Sequence, residues 1–251
     1  LAVPAVRSAI GAEIGRRIEH HERIASTQDR ALELADAGEG RAVVVADEQT
    51  AGRGTRERRW LAPPGTALLA SWVFRPAPAR PALFTLLAGV ALARALDRLE
   101  SVEASLKWPN DVVVRGRKLA GALAHATTGE RGALVLGVGV NVHQRAEELA
   151  GELRETATSL ALEGGPVDRL ALLAALTREL DRLAGSEAER AAGLEEWRRR
   201  SAVLGREVSV ARPGSPPLAG IARLVDDDGA LLLETAYGPE RILAGEVSIK
   251  R

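Results

Sequence analysis

The run Ala133-Leu134-Val135-Leu136-Gly137-Val138-Gly139-Val140-Asn141-Val142 is the most hydrophobic segment of the chain and carries no charge. Such a run of β-branched residues reads as a strand with no polar face to give to water, and so as a central strand of its sheet. Its glycines permit close approach of another group, and Asn141 is its only polar side chain. Further strands are expected over Ala42 to Ala46, Ala67 to Phe74 and Ser105 to Trp108. Val112 to Val114 and Lys118 to His125 form a hairpin turning at Arg115-Gly116. Amphipathic or Ala/Leu-rich segments predict helices over Ala5 to Ile18, Arg30 to Ala37, Ala82 to Leu99, Asp168 to Leu183 and Glu187 to Ser201. The second is preceded by the capping sequence Ser26-Thr27-Gln28-Asp29, and the third follows the breakers Pro76, Pro78 and Pro81. From about Gly205 the texture changes to short β segments with Pro/Gly/Asp turns, the mark of a small β-barrel-like module. The expected division is 1–204 and 205–251.

With 251 residues the chain can bury a sizeable core. Lys+Arg and Asp+Glu balance at 34 each, so a general nucleic-acid role has no support from global charge. The absence of cysteine excludes disulfides, thiol catalysis and Cys-ligated zinc, and the four histidines show no zinc spacing. No apolar run approaches a membrane span and no signal-peptide pattern is present, so the expected location is cytoplasmic.

Two segments carry chemistry. Gln49-Thr50-Ala51-Gly52-Arg53-Gly54-Thr55-Arg56-Glu57-Arg58-Arg59-Trp60 joins glycines, guanidinium groups and an indole. It lacks the Gly-Lys-Ser/Thr of a phosphate-binding loop and does not open a helix. It reads either as an ordinary Gly-rich turn or as a mobile loop that orders on an anionic ligand. Lys107-Trp108-Pro109-Asn110-Asp111 is either a strand ending in an Asx turn or a site in which Trp108 stacks on a ring. Arg117-Lys118-Leu119-Ala120-Gly121 places a lysine beside small residues. Lys118 is then an edge lysine or a charge stabilising a transferring phosphoryl or acyl oxygen. Ser26-Thr27-Gln28 serves as a helix cap or clasps a small polar head group. Together these groups suit an anionic, aromatic-ringed nucleotide, and hence an enzyme handling a nucleoside triphosphate or an adenylate.

In this order, and with Gly-Val-Gly-Val-Asn-Val, Ala157-Thr158-Ser159-Leu160 and a terminal Gly245-Glu246-Val247-Ser248, the chain resembles the biotin protein ligases over nearly its whole length. The resemblance implies an α+β fold, a mixed β-sheet with flanking helices of class II synthetase-like type, plus a C-terminal SH3-like barrel. It implies a two-step reaction with biotin, ATP and Mg²⁺: formation of biotinyl-5′-AMP, then transfer to a lysine of a biotin carboxyl carrier domain. By that resemblance Ser26, Thr27, Gln28 and Gln49 hold biotin, assisted by backbone at Arg53 and Gly54. Arg53 and Arg58 meet phosphate, Trp60 lies near adenine, and Asn110 and Asp111 bind the nucleotide or its Mg²⁺. Lys118 stabilises developing negative charge, and Asn141 reads the adenine edge. Gly52, Thr55, Lys107 and Gly121 complete the binding set, with Lys118, Arg53 and Asp111 as the catalytic group. Glu246 and Lys250 help close the site and meet the carrier.

The chain departs from the family's usual Gly-Arg-Gly-Arg-x-Gly-Arg-x-Trp loop at Thr55 and Glu57; elsewhere His125 stands where the family usually has Glu, and Gln28 where Asn is common. One lost charged hydrogen bond at Thr55 predicts weaker retention of the adenylate, by on the order of 1–3 kcal/mol. About 25 residues precede Ser26, too few for the DNA-binding domain of many relatives, so no DNA partner is expected. Oligomeric state, monomer or dimer, is not set by the residues. A lipoate–protein ligase shares the chemistry, and a low-activity biotin- or nucleotide-binding module is the rival of another class.

Overall fold

The computed structural model describes residue 4 and residues 17–127, 132–149, 153–165, 167–212 and 214–249. The main sheet is built from β1 (Arg17–Ile24), β2 (Arg41–Gln49), β3 (Ala67–Phe74), β4 (Ser105–Lys107), β5 (Asp111–Val114), β6 (Arg117–Ala126) and β7 (Leu134–Asn141). Their order is β1-β2-β3-β7-β6-β5-β4. Only β1 and β2 run parallel; the other pairs are antiparallel. The most hydrophobic run is therefore the middle strand, between β3 and β6.

Both faces of this sheet are covered, which is why its strands read as continuous apolar runs and not as alternations. Val43, Val45, Trp72, Leu136 and Val138 face α2 (Phe84–Arg98), α3 (Arg169–Gly185) and α4 (Glu187–Arg199). Val44, Val73 and Val135 face α1 (Thr27–Asp36) through Ala31, Leu34 and Ala35. Trp72 is fully buried, and its indole N–H donates to Thr177 Oγ1 at 3.1 Å, so the core holds no orphaned donor there. Helix α1 begins at Thr27 and not at the expected Arg30: Ser26 is its N-cap and accepts from the Asp29 amide, so the expected cap sequence forms the first turn.

Strand β1 was not legible in the sequence. Residues 17 and 18 of the expected first helix belong to it, and residues 5–16 lie outside the described residues. Arg17–Ile24 is an edge strand rich in charge, so it lacks the apolar signal of a buried strand. Its Glu19 instead takes a two-pronged contact from Arg30 of α1, at 2.7 and 3.0 Å.

The C-terminal strands β8 (Glu207–Arg212), β9 (Ser215–Val225), β10 (Leu231–Thr235), β11 (Gly238–Ile242) and β12 (Glu246–Ile249) form one antiparallel sheet, in the order β11-β10-β9-β8-β12. Among the described residues no ladder joins β11 to β12, so the expected barrel is not closed. Its apolar face (Val208, Val210, Val225, Leu231, Leu233, Val247) does not need closure, because it is continuous with the main core. Trp108 sits at this junction. Its side chain is 1% exposed, and its N–H donates to Gly229 O at 3.0 Å. The expectation that Trp108 stacks on a ligand ring is therefore corrected. The indole fills the seam between the two sheets, and a Cβ on Gly245 would already touch it at 3.4 Å.

Candidate active site

A cavity of about 410 Å³ opens on the α1 face of the main sheet, a size suited to a small organic ligand. Its floor is β7. Side chains alternate along a strand, so Gly137, Gly139 and Asn141 share the cavity face while Val138 and Val140 pack into the core. Ser71 and Leu123 stand opposite Gly137, and Gly121 stands opposite Gly139. Glycine is required on this floor. A Cβ at Gly137 would lie 2.4 Å from Gln28 Oε1, and one at Gly139 would lie 2.7 Å from the Trp60 indole.

The Gly137 end is polar and uncharged. Gln49 Oε1 accepts from the Thr27 amide at 2.7 Å and from Thr27 Oγ1 at 3.0 Å. The Thr27 and Ser71 hydroxyls are 2.9 Å apart, and Ser71 Oγ donates to Gln28 Oε1 at 3.2 Å. Gln28 Nε2 donates to Val135 O at 3.3 Å. These groups form a connected array of amides and hydroxyls around a shallow apolar floor, which suits a neutral polar head group.

Further along β7 the character changes. Lys118 Nζ lies 2.6 Å from Asp111 Oδ1 and 5.7 Å from the centroid of the Trp60 ring, within cation–π range. The Trp60 N–H is buried without a partner. Asn141 is buried; its Nδ2 donates to Thr158 O at 2.9 Å and its Oδ1 accepts from Gln144 at 2.9 Å.

The cationic loop closes one side. It is a tight self-bonded hairpin: Arg53 bridges Arg59, Gly54 N donates to Arg58 O at 2.7 Å, and Trp60 N donates to Gly52 O at 2.9 Å. These backbone bonds form within the loop, and side chains fasten it at two further points. Arg53 pairs with Asp29 at 2.9 Å. Arg56 and Arg58 both pair with Glu246 of β12, at 2.9 and 3.1 Å, and Arg56 also donates to Ala211 O at 2.8 Å. Arg56 holds a left-handed backbone conformation, φ 57°, which an arginine adopts only when surrounding contacts enforce it.

The cavity is thus lined by Arg53, Arg58, Arg59, Lys107 and Lys118 against the carboxylates Asp111 and Glu246. It combines a neutral polar end with a cationic, indole-bearing end, as an acyl adenylate would require.

Comparison with known proteins decides the assignment. Residues 20–141 match the biotin/lipoate A/B protein ligase family, and residues 203–250 match the biotin protein ligase C terminal domain. The bifunctional ligase/repressor BirA of Bacillus subtilis is 31% identical over 254 residues, covering 97% of this chain and 78% of that protein. The biotin--[acetyl-CoA-carboxylase] ligase of Mycobacterium tuberculosis is 37% identical over 214 residues, covering 82% of this chain and 77% of that one. Among solved structures, the biotin protein ligase from Aquifex aeolicus in complex with biotin and ATP aligns with a TM-score of 0.74 at 28% identity, covering 94% of this chain and all of that one. The chain belongs to the biotin protein ligase family.

Within this biotin protein ligase fold the residues expected at the site converge. Thr27, Gln28, Gln49, Arg53, Gly54, Thr55, Arg58, Trp60, Lys107, Asn110, Asp111, Lys118, Gly121 and Asn141 all line the cavity. Ser26 and Gly52 do not: the Ser26 hydroxyl caps α1, and Gly52 is buried under the loop, where a Cβ would meet Trp60 O at 2.5 Å. His125 is exposed and outside the cavity lining. Lys250 and the side chain of Glu57 lie outside the described residues. Sequence reasoning missed Ser71, whose only signal was a lone hydroxyl in the apolar run Ala67–Phe74. It also missed Leu69 and Leu123, which no sequence pattern distinguishes from core residues.

Among the described residues no three acidic or His side chains cluster as a metal cage. The cavity does fit a magnesium ion that arrives on a triphosphate, since such an ion keeps most of its waters and phosphate ligands and needs one or two protein oxygens. Asp111 and the Asn110 amide oxygen would supply them; Asn110 Nδ2 is already committed to Ala122 O at 3.0 Å.

Proposed function

We propose that this chain is an ATP-dependent biotin protein ligase that makes biotinyl-5′-AMP and passes the biotinyl group to a lysine of a carboxyl carrier domain. The observation that supports this most is the polarity of the cavity along β7, neutral at Gly137 and cationic with an indole from Gly139 onward. The ureido ring of biotin would meet Thr27, Gln28, Gln49 and Ser71, and its carboxylate would lie toward Lys118. In the first step a carboxylate oxygen attacks the α-phosphorus of ATP, and pyrophosphate leaves. Lys118 would offset the negative charge that grows on the phosphoryl oxygens, with Arg53 and Arg58 as further cations. Magnesium would neutralise charge on the triphosphate. In the second step the carrier lysine, as a free amine, attacks the acyl carbon and AMP leaves.

Trp60 would lie along the adenine and Asn141 would meet its edge, though much of the Asn141 amide is already used internally. Glu246, by holding Arg56 and Arg58, would keep the loop closed on the intermediate. The same reading takes 1–204 as the catalytic unit and 205–251 as the C-terminal unit, and places the enzyme in the cytoplasm. No described helix is long and apolar enough to cross a membrane.

Pyrophosphate release by the purified chain tests the proposal. It must require both ATP and biotin, and labelled biotin must reach a carrier domain. Turnover with lipoate in place of biotin, or no turnover, overturns it.

A further inference from the structure

The Lys118 side of the cavity rests on a buried carboxylate outside it. Glu163 has a side chain only 1% exposed. Its Oε1 accepts from Arg117 Nη2 and from Thr158 Oγ1, each at 2.6 Å, while Arg115 Nη1 lies 3.4 Å from Oε2. Each partner leads back to the site. Arg117 directly precedes Lys118 on β6. Thr158 is fully buried, its amide donates to Lys118 O at 2.8 Å, and its carbonyl accepts from Asn141 Nδ2 at 2.9 Å. The neighbouring Ala157 bridges Lys118 and lines the cavity together with Thr156.

We infer that Glu163 is a positioning residue for the reaction: through Thr158 and Arg117 it sets the register between the 156–160 segment and β6, and so the placement of Lys118 and Asn141. It touches no ligand. A hydroxyl and a guanidinium converge on one carboxylate oxygen, so the segment is fixed in direction as well as distance, and charge-assisted bonds of this kind are the strong ones. The carboxylate also offsets the guanidinium groups of Arg115 and Arg117, which precede Lys118 in sequence, while the lysine ammonium points to the cavity and pairs with Asp111. The inference rests on the ligase reading for its catalytic consequence, but not for its structural one.

The test compares Glu163→Gln, which keeps the shape and removes the charge, with Thr158→Val, which removes only the hydroxyl. Single-turnover formation of biotinyl adenylate should slow on the order of 10-fold in each, since small misplacement of a reacting group costs up to about 100-fold. The KM for biotin should hold, because the Gly137 end is untouched. The double variant should be no slower than the slower single variant, as expected of groups acting as one unit. Unchanged rates, a matching rise in biotin KM, or additive losses would overturn the inference. If Glu163→Gln fails to fold, Thr158→Val decides. Amide exchange on the ligand-free chain separates this inference from the ligase reading. Glu163→Gln should speed exchange at Thr158 and leave α2 unchanged, even if the wild-type chain proves to make no adenylate. No acceleration at Thr158 sinks the inference alone.

Discussion

The wall carried by β6 and residues 157–163 is tied by main-chain bonds and a carboxylate 1% exposed. The facing loop over 52–60 is fastened by Arg53, Arg56, Arg58 and Glu246, whose side chains are 34–56% exposed. Buried bonds have no water to compete with, whereas half-exposed ion pairs are screened and contribute little each. One side of the cavity is therefore a fixed reference for the reacting atoms. The other is a half-exposed fastening, and on the proposed function the phosphates of ATP would compete for the guanidinium groups of Arg56 and Arg58 that Glu246 holds.

Perturbing each side should expose that contrast. Lys118→Ala removes the cation on the fixed wall and should lower the adenylation rate by about 10²–10³-fold, as loss of a preorganised charge stabiliser does. Stopped pyrophosphate assays at low and high salt should give the same factor, and a strongly salt-dependent loss would break the comparison. Thr55→Arg adds to the loop a cation that the usual family pattern has. It should slow dissociation of biotinyl-5′-AMP about 10-fold, the equivalent of roughly 1.4 kcal/mol; rapid gel filtration of the loaded enzyme would read it. Glu246→Gln weakens the fastening to Arg56 and Arg58. The KM for ATP should change about 3-fold or less, and the change should vanish in high salt. A salt-independent effect would place Glu246 with the fixed wall.

The smallest effect lies away from the cavity. The carboxyl of Glu19 is held down to about 2 from 4.5, first by its hydrogen bonds from Arg30, against the opposing effect of burial. A depressed carboxyl contributes stability that is complete above its unfolded value and is lost as pH falls through its folded value. Thermal unfolding of Glu19→Gln should thus fall below wild type by its full margin above pH 4.5 and converge on it as pH falls toward and below about 2. A constant gap across this range would show that the β1–α1 contact acts through packing alone.

Much of the architecture was legible because its signals are local. Strand β3 runs Ala67–Phe74 as the apolar run requires, and α1 starts at its Ser26 cap. The site residues were legible as motifs, since glycines, arginines and an indole in one loop have few other uses together. What escaped was long-range. Nothing in Arg17–Ile24 shows that an edge strand pairs with β2, and Trp108 read as a ligand platform because its partner, Gly229 O, lies 121 residues away. No local pattern singles out Glu163; the fold brings Arg117 and Thr158 to it.

By itself the sequence determined most of the segments that become strands and helices, β1 excepted, that β7 is central, and which side chains can serve an acyl-phosphate chemistry, because periodicity, capping and residue chemistry act over a few neighbours. Only the tertiary structure decided which of those side chains meet. The 2.6 Å Lys118–Asp111 pair, the Glu246 contact to the loop and the Trp60 indole against Gly139 each depend on strand register and on the packing of one sheet against the other. Register and packing are settled by burial of the whole core, a sum over distant residues that no single stretch of chain contains.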